Sequence, residues 1–229
     1  DAARYYPLGC GEYMIAAASP SLLNVGWSVP KSLEAALCGG RGLAGESLGL
    51  TGPTECPTYD ALWQALEHQL AQAADLAARS YAKNNAVLAG ECPFLFGSLL
   101  TDDCVERARG LLDGGARHDG ACVMAHGFSN AADALLAIRR LVFERRSVGL
   151  PEIVDALRQN FEGRDGLRRR LLAAPKFGND DPEADALLVS LWRTMSRLAE
   201  KAGAAAGIGF FTVSSVNPGG YFLGEACGA

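Results

Sequence analysis

A thiol and a carboxylate two positions apart stand out chemically: Cys10 and Glu12, within Pro7-Leu8-Gly9-Cys10-Gly11-Glu12-Tyr13. In extended backbone, side chains at i and i+2 leave the same face, which would turn both groups into one hollow. Glycine on each side of the sulfur lets a substrate or a second loop approach the main chain closely. Two chemistries use such a pair. A nucleophilic cysteine needs a thiolate, sustained by a histidine or a positive field, and a neighbouring carboxylate disfavours that anion. The three histidines, His68, His118 and His126, are distant in sequence. A neutral thiol that gives up a hydrogen atom needs the reverse, a dry, uncharged sulfur with an acid or base beside it. Cys10-x-Glu12 therefore suits radical chemistry better than thiolate catalysis, and the plain alternative is a core cysteine next to a surface glutamate. Tyr5, Tyr6 and Tyr13 are close enough in sequence to orient a substrate, with core packing the expected role for each.

Other clusters have simpler readings. Lys176-Phe177-Gly178-Asn179-Asp180-Asp181-Pro182 is a turn whose Asp181 suits the N-cap of a following helix. Arg168, Arg169 and Arg170 fan over different faces of a helix, near Glu162 and Asp165, and read as a solvated face rather than an anion site. The histidines lack metal-ligand spacing and the cysteines lack a C-x-x-C pair, so no metal site and no bound cofactor are expected.

The elements that must position these residues follow from periodicity. Residues 1–28 read as loop and short extended structure around Cys10. Pro30 and Gly39-Gly40 bracket a helix over 31–38, and 39–57 form a surface excursion, the expected insertion. Tyr59, Leu62, Trp63, Leu66, Leu70, Ala73, Leu76 and Ala77 mark an amphipathic helix over 58–82 with Thr58 as N-cap. Asp102 and Asp103 predict the first turn of a helix over 101–114. Residues 121–125 suit a buried strand. Further helices are predicted over 130–146, 151–161, 164–173 and 182–202, and a strand over 209–216. The result is a strongly helical chain with few strands.

Among the 229 residues, 49% are hydrophobic and 21% charged, which excludes disordered, collagen-like and coiled-coil classes. A net charge of −5 leaves no basic excess for a phosphate backbone, so nucleic acid is not an expected partner. No apolar run reaches the ~18 residues of a membrane span. Seven cysteines at irregular spacing suit a reducing, cytoplasmic compartment. The chain opens on Asp1-Ala2-Ala3-Arg4, without a signal-peptide pattern, and stops at Gly224-Glu225-Ala226-Cys227-Gly228-Ala229. Both ends are expected to be cut from a longer polypeptide.

Taken together, the motifs resemble the glycyl radical enzymes, the pyruvate formate-lyase superfamily. The likeness is carried in order by GCGE at 9–12, WSVPKSLEAALCGG at 27–40, SLLTDDCVERARGLLDGGA at 98–116, GFSNAADALLAIRRLVFE at 127–144 and ALRQNFEGRDGLRRRLLAAPKFGNDD at 156–181. The resemblance implies an α/β fold class: this chain is the mostly helical portion of a ten-stranded α/β barrel, residues 1–229 being part of one such domain. The N-terminal half and the C-terminal radical domain would lie outside it. It further implies that Cys10 becomes the thiyl, that Glu12 acts as general base and acid, and that the glycyl radical sits on a glycine outside this segment, because Asn217-Pro218-Gly219-Gly220-Tyr221 lacks the family's Arg-Val-x-Gly-Tyr pattern. Implied partners are a radical-SAM activating enzyme and a small-molecule substrate, under anaerobic conditions, with a homodimer left open.

The resulting expectation is a glycyl radical lyase or dehydratase, inactive as this segment alone. Formate C-acetyltransferase activity is the alternative within the family, although Gly11 stands where those enzymes carry a second cysteine. A non-catalytic helical interaction module with an inert Cys10 is the alternative of another class.

Overall fold

The computed structural model describes residues 1–8, 12–20 and 25–215, with backbone alone at Pro7, Leu8, Glu12 and Tyr13. A 3₁₀ turn, Ala2–Arg4, leads into strands β1 (Tyr5–Leu8) and β2 (Glu12–Ile15), then β3 (Val25–Ser28) and helices α1 (Val29–Leu37), α2 (Tyr59–Glu91) and α3 (Leu95–Leu99). A π turn, Leu111–Gly115, precedes β4 (Ala121–His126) and α4 (Phe128–Ile138), which runs on as a second π turn, Arg139–Glu144. Helices α5 (Leu150–Arg158), α6 (Asp165–Leu172) and α7 (Pro182–Ala205) and strand β5 (Phe211–Ser215) complete the order. The chain is α/β with helix predominating, as expected.

The chain divides into two compact units. The first takes the described parts of Asp1–Trp27, Ala73–Ala125 and Ser196–Val216. β1 and β2 form an antiparallel hairpin here, and β3, β4 and β5 a second sheet in that order, with β4 and β5 parallel. The central strand β4 is almost wholly buried, which is why Ala121 to Ala125 lacks polar alternation. Backbones crowd at the foot of the parallel pair: a Cβ on Gly120 would meet the Phe210 carbonyl oxygen at 2.5 Å. Tyr81 of α2 donates its hydroxyl to the Gly120 carbonyl at 2.9 Å and lays its ring near Phe211.

The second unit comprises Ser28–Gln72 and the described part of its remainder, His126–Met195. Ser28 caps α1 by accepting from the Lys31 amide, with Pro30 in the first turn. Leu62, Leu66 and Leu70 form the buried i, i+4 stripe of α2, each contributing about 1.5–3 kcal/mol by burial. Phe128 of α4 stacks obliquely on Trp192 of α7, ring centroids 4.9 Å apart. Gly127, at φ 74°, leaves space for the Pro30 ring, which a Cβ there would meet at 2.7 Å, and so lets α1 and α4 close on each other.

The 39–57 excursion is held by polar anchors rather than left loose. Buried Glu34 accepts from the Leu43 amide and from Lys31 Nζ, and Lys31 also reaches Glu46. Gln69, fully buried, and Gln72 both donate to the Thr51 carbonyl.

Two expectations need correction. The predicted helix over 101–114 is absent: the backbone goes through successive turns with Asp103 at φ 71° and Ala108 at φ 51°. Tertiary bonds win over local propensity there. The Asp102 amide is spent on the Ala17 carbonyl at 2.6 Å, and a Cβ on Gly115 would sit 2.1 Å from the Arg109 carbonyl oxygen, so the chain folds tightly back on itself. α2 also extends past 82 to Glu91, because Leu88 and Ala89 pack on the cluster of Cys104, Leu111, Leu112 and Ala116.

Candidate active site

The strands around the candidate thiol are paired. β1 and β2 run antiparallel in the register Tyr5↔Ile15, Tyr6↔Met14, Pro7↔Tyr13, Leu8↔Glu12. Pairing Leu8 with Glu12 draws together the two ends of the Gly9-Cys10-Gly11 segment. Cys10 lies outside the described residues, and Glu12 is fixed as the first residue of β2. The two flanks are extended, and the shared face expected of Cys10 and Glu12 lies outside the described residues.

Tyr6 Oη donates to Met14 Sδ at 3.1 Å across the hairpin. Core packing, expected of Tyr5 and Tyr6, is not what the structure has: they are 57% and 39% exposed.

The far end of the hairpin is anchored by charge and main chain. After β2 the backbone turns at Ala17, φ 55°, and buried Ser19 closes the turn, its Oγ accepting from the Ile15 amide at 3.0 Å. The Asp102 amide and the His118 amide donate to the carbonyls of Ala17 and Ala18. Arg4 donates to Asp102 at 2.8 Å and to Asp1 at 3.0 Å. Arg117 grips Asp103 at 2.7 Å, and His118 Nε2 meets Asp1 at 2.8 Å. The Arg117 guanidinium holds the Asp103 carboxyl below the usual carboxylate range. Arg107 links the same Asp103 to the Ala116 carbonyl, closing the turns that replaced the expected helix. Sequence reasoning assigned Asp102 and Asp103 to a helix start and gave Arg4 and Arg117 no role. No local signal marks them, because each partner lies on a distant segment or across a chain reversal.

The Gly178-Asn179-Asp180-Asp181 turn behaves as read from sequence. Gly178 and Asp180 have positive φ, and Asp181 Oδ1 accepts from the Glu183 and Ala184 amides at the start of α7. Asp133 of α4 accepts from the Phe177 amide at 2.8 Å and secures the turn from the other side.

Among the described residues, no group of three or more His, Cys, Asp or Glu could hold a metal ion, and no helix is long and apolar enough to cross a membrane. Among the described residues, Cys38, Cys56, Cys92 and Cys104 form no disulfide.

The chain is similar to known proteins over most of its length. It is 40% identical over 100 residues to the probable dehydratase YbiW of Escherichia coli strain K12, covering 42% of this chain and 12% of that protein. It is 35% identical over 167 residues to an isethionate sulfite-lyase of Oleidesulfovibrio alaskensis, covering 68% of this chain and 20% of the relative. The crystal structure of hydroxyproline dehydratase from Clostridioides difficile, with trans-4-hydroxy-L-proline bound, superposes with a TM-score of 0.81 at 26% identity, over 86% of this chain and 26% of that one. The chain thus spans about a quarter or less of the length of the curated relatives it matches first. A family model described as pyruvate formate lyase-like matches residues 1–220, and the chain belongs to that family.

Proposed function

We propose that this chain is the cysteine-loop segment of a glycyl radical lyase or dehydratase, with Cys10 as the hydrogen-abstracting thiol and Glu12 as its acid/base partner. The observation that supports this reading most directly is the Leu8↔Glu12 pairing, which bounds the Gly9-Cys10-Gly11 segment with two strands and starts β2 at the carboxylate residue. The similarity to dehydratases and a sulfite-lyase points the same way. The ten-stranded barrel belongs, on this reading, to the complete protein.

The residues present fit a radical brought from elsewhere: glycines on both sides of Cys10 leave no side chain to bar another backbone. One-electron oxidising power comes from a glycyl radical outside this chain, installed by a separate radical-SAM activating enzyme, and it removes the hydrogen of the Cys10 thiol. Cys10 then takes a hydrogen atom from a substrate carbon bearing a hydroxyl, and its S–H bond re-forms. Glu12 accepts the proton of that hydroxyl. In a dehydration it passes a proton to the departing hydroxyl, which leaves as water, whereas a sulfite group leaves as the anion. The product radical regains its hydrogen from Cys10, so the thiol chemistry closes without net oxidation. Acid/base catalysis of this type contributes about 10²–10⁴-fold. Gly11, in place of a second cysteine, speaks against formate C-acetyltransferase chemistry.

The test is anaerobic activation of the complete protein by its activase, with products screened across diols, trans-4-hydroxyproline, isethionate, choline and pyruvate. Cys10→Ala is expected to abolish turnover. Glu12→Gln should keep the activated radical's EPR signal while turnover falls by about 100-fold or more. Undiminished turnover in Cys10→Ala overturns the mechanism.

A further inference from the structure

The π turn that ends α4 rearranges the arginines around it. The Arg145 amide donates to the Arg140 carbonyl at 2.9 Å, a bond spanning five residues. On a regular α-helix, residues five apart point about 140° away from each other, at 3.6 residues per turn. The wider turn instead brings Arg140 and Arg145 to the same side, where both line a cavity of about 290 Å³. Arg170, from the last turn of α6, enters that cavity from a different element. Its Nη2 donates to the Ser147 hydroxyl and, at 3.2 Å, to the Ser147 carbonyl.

Three arginines thus line one cavity, and carboxylate charge from Glu183, Asp181 and Glu144 acts on Arg140 among them. Glu183 pairs with Arg140 and is shared with Arg139, which it meets at 3.2 Å. Glu144 is taken by Arg139 at 2.9 Å. Arg145 and Arg170 form no ion pair with any described residue. The nearby carbonyl end of α6, a natural source of negative potential, is covered by Lys176, whose Nζ donates to Leu171 and Ala174. Planar, permanently charged donors gathered around a hollow match an oxyanion, and the volume sits at the small end of the ligand-pocket range.

We infer that this cavity binds a tetrahedral oxyanion, as inorganic phosphate or as the phosphoryl group of a small phosphomonoester, held by Arg145 and Arg170 with Arg140 behind them. The inference does not depend on the radical chemistry proposed above.

Isothermal titration calorimetry of the complete protein with inorganic phosphate, at ionic strength held constant with chloride, tests it. Saturable binding is expected, and Arg145→Ala should weaken it at least about tenfold, the loss expected for a hydrogen bond to a charged group. Arg145 is exposed and has no ion-pair partner, so its removal leaves the fold intact. Arg168→Ala, an exposed arginine of α6 that does not line the cavity, should bind as the parent does. Methyl phosphate separates the two sources: binding as tight as phosphate indicates a phosphomonoester, and much weaker binding indicates the free ion. No saturable heat at millimolar phosphate overturns the proposal, as does equal loss of affinity in Arg145→Ala and Arg168→Ala.

Discussion

Arg4 and Asp102 meet at 2.8 Å across 98 positions of sequence, tying the turn before β1 to the segment after α3. Both side chains are about a third exposed, so the pair contributes no more than about 1 kcal/mol to stability. Its larger consequence is positional. Arg4 precedes β1 directly, and a tilt of β1 against β2 would shift the Cys10 segment between them. Misplacing a reacting group by about 1 Å can cost on the order of 100-fold in rate. Arg4→Ala in the complete, activated protein should therefore move the urea midpoint only slightly while kcat falls about tenfold or more. A kcat that follows stability alone would show that the anchor does not position the thiol.

Asp103 predicts a pH dependence of definite sign. Its carboxyl is held below the ordinary value of 3.8 by Arg117, through a hydrogen bond first and charge second. A lowered folded-state pKa means that the stabilisation is complete above the unfolded value and is lost as pH falls through the folded one. Asp103→Asn should lower the urea midpoint at pH 7, and the difference from the parent should vanish well below pH 3.8. A gap that persists in acid would assign the effect to packing instead of charge.

The elements legible in the sequence are those whose signals are local. Pro30 in the first turn of α1, Thr58 ahead of the Leu62, Leu66, Leu70 stripe, and Asp181 before Pro182 each carry a start signal that the structure realises. The 101–114 segment was illegible because its amides and glycines answer to remote partners, such as Ala17 for Asp102. The arginine cavity was hidden for another reason. Arg140 and Arg145 share a side only when the helix widens to a π turn, and a 3.6-residue period cannot show that. The Cys10 and Glu12 pair was singled out by its glycine flanks, and Cys10 lies outside the described residues. The hairpin register around it was not legible, since turn type and loop length fix the register and a glycine on each side of Cys10 is compatible with more than one turn.

Gly203 offers a test of the packing behind β5, because two effects of opposite sign compete there. It lies buried in α7, where replacing glycine by alanine ordinarily favours a helix by about 1 kcal/mol. A Cβ at this position, however, would stand 2.3 Å from Phe211 Cβ and 3.1 Å from the first ring carbon. Phe211 cannot retreat freely: it is paired with Ala121 in the parallel β4–β5 ladder and lies against Tyr81. Overpacking of this kind costs about 1–3 kcal/mol, and the contact is with the stem of the side chain rather than a flexible tip, so the cost should be near the upper end and exceed the helix gain. Gly203→Ala should lose about 1–2 kcal/mol in urea unfolding with an unchanged m-value. A stabilised variant would mean that α7 is free to move off the sheet, and that the glycine is there for some reason other than close approach to Phe211.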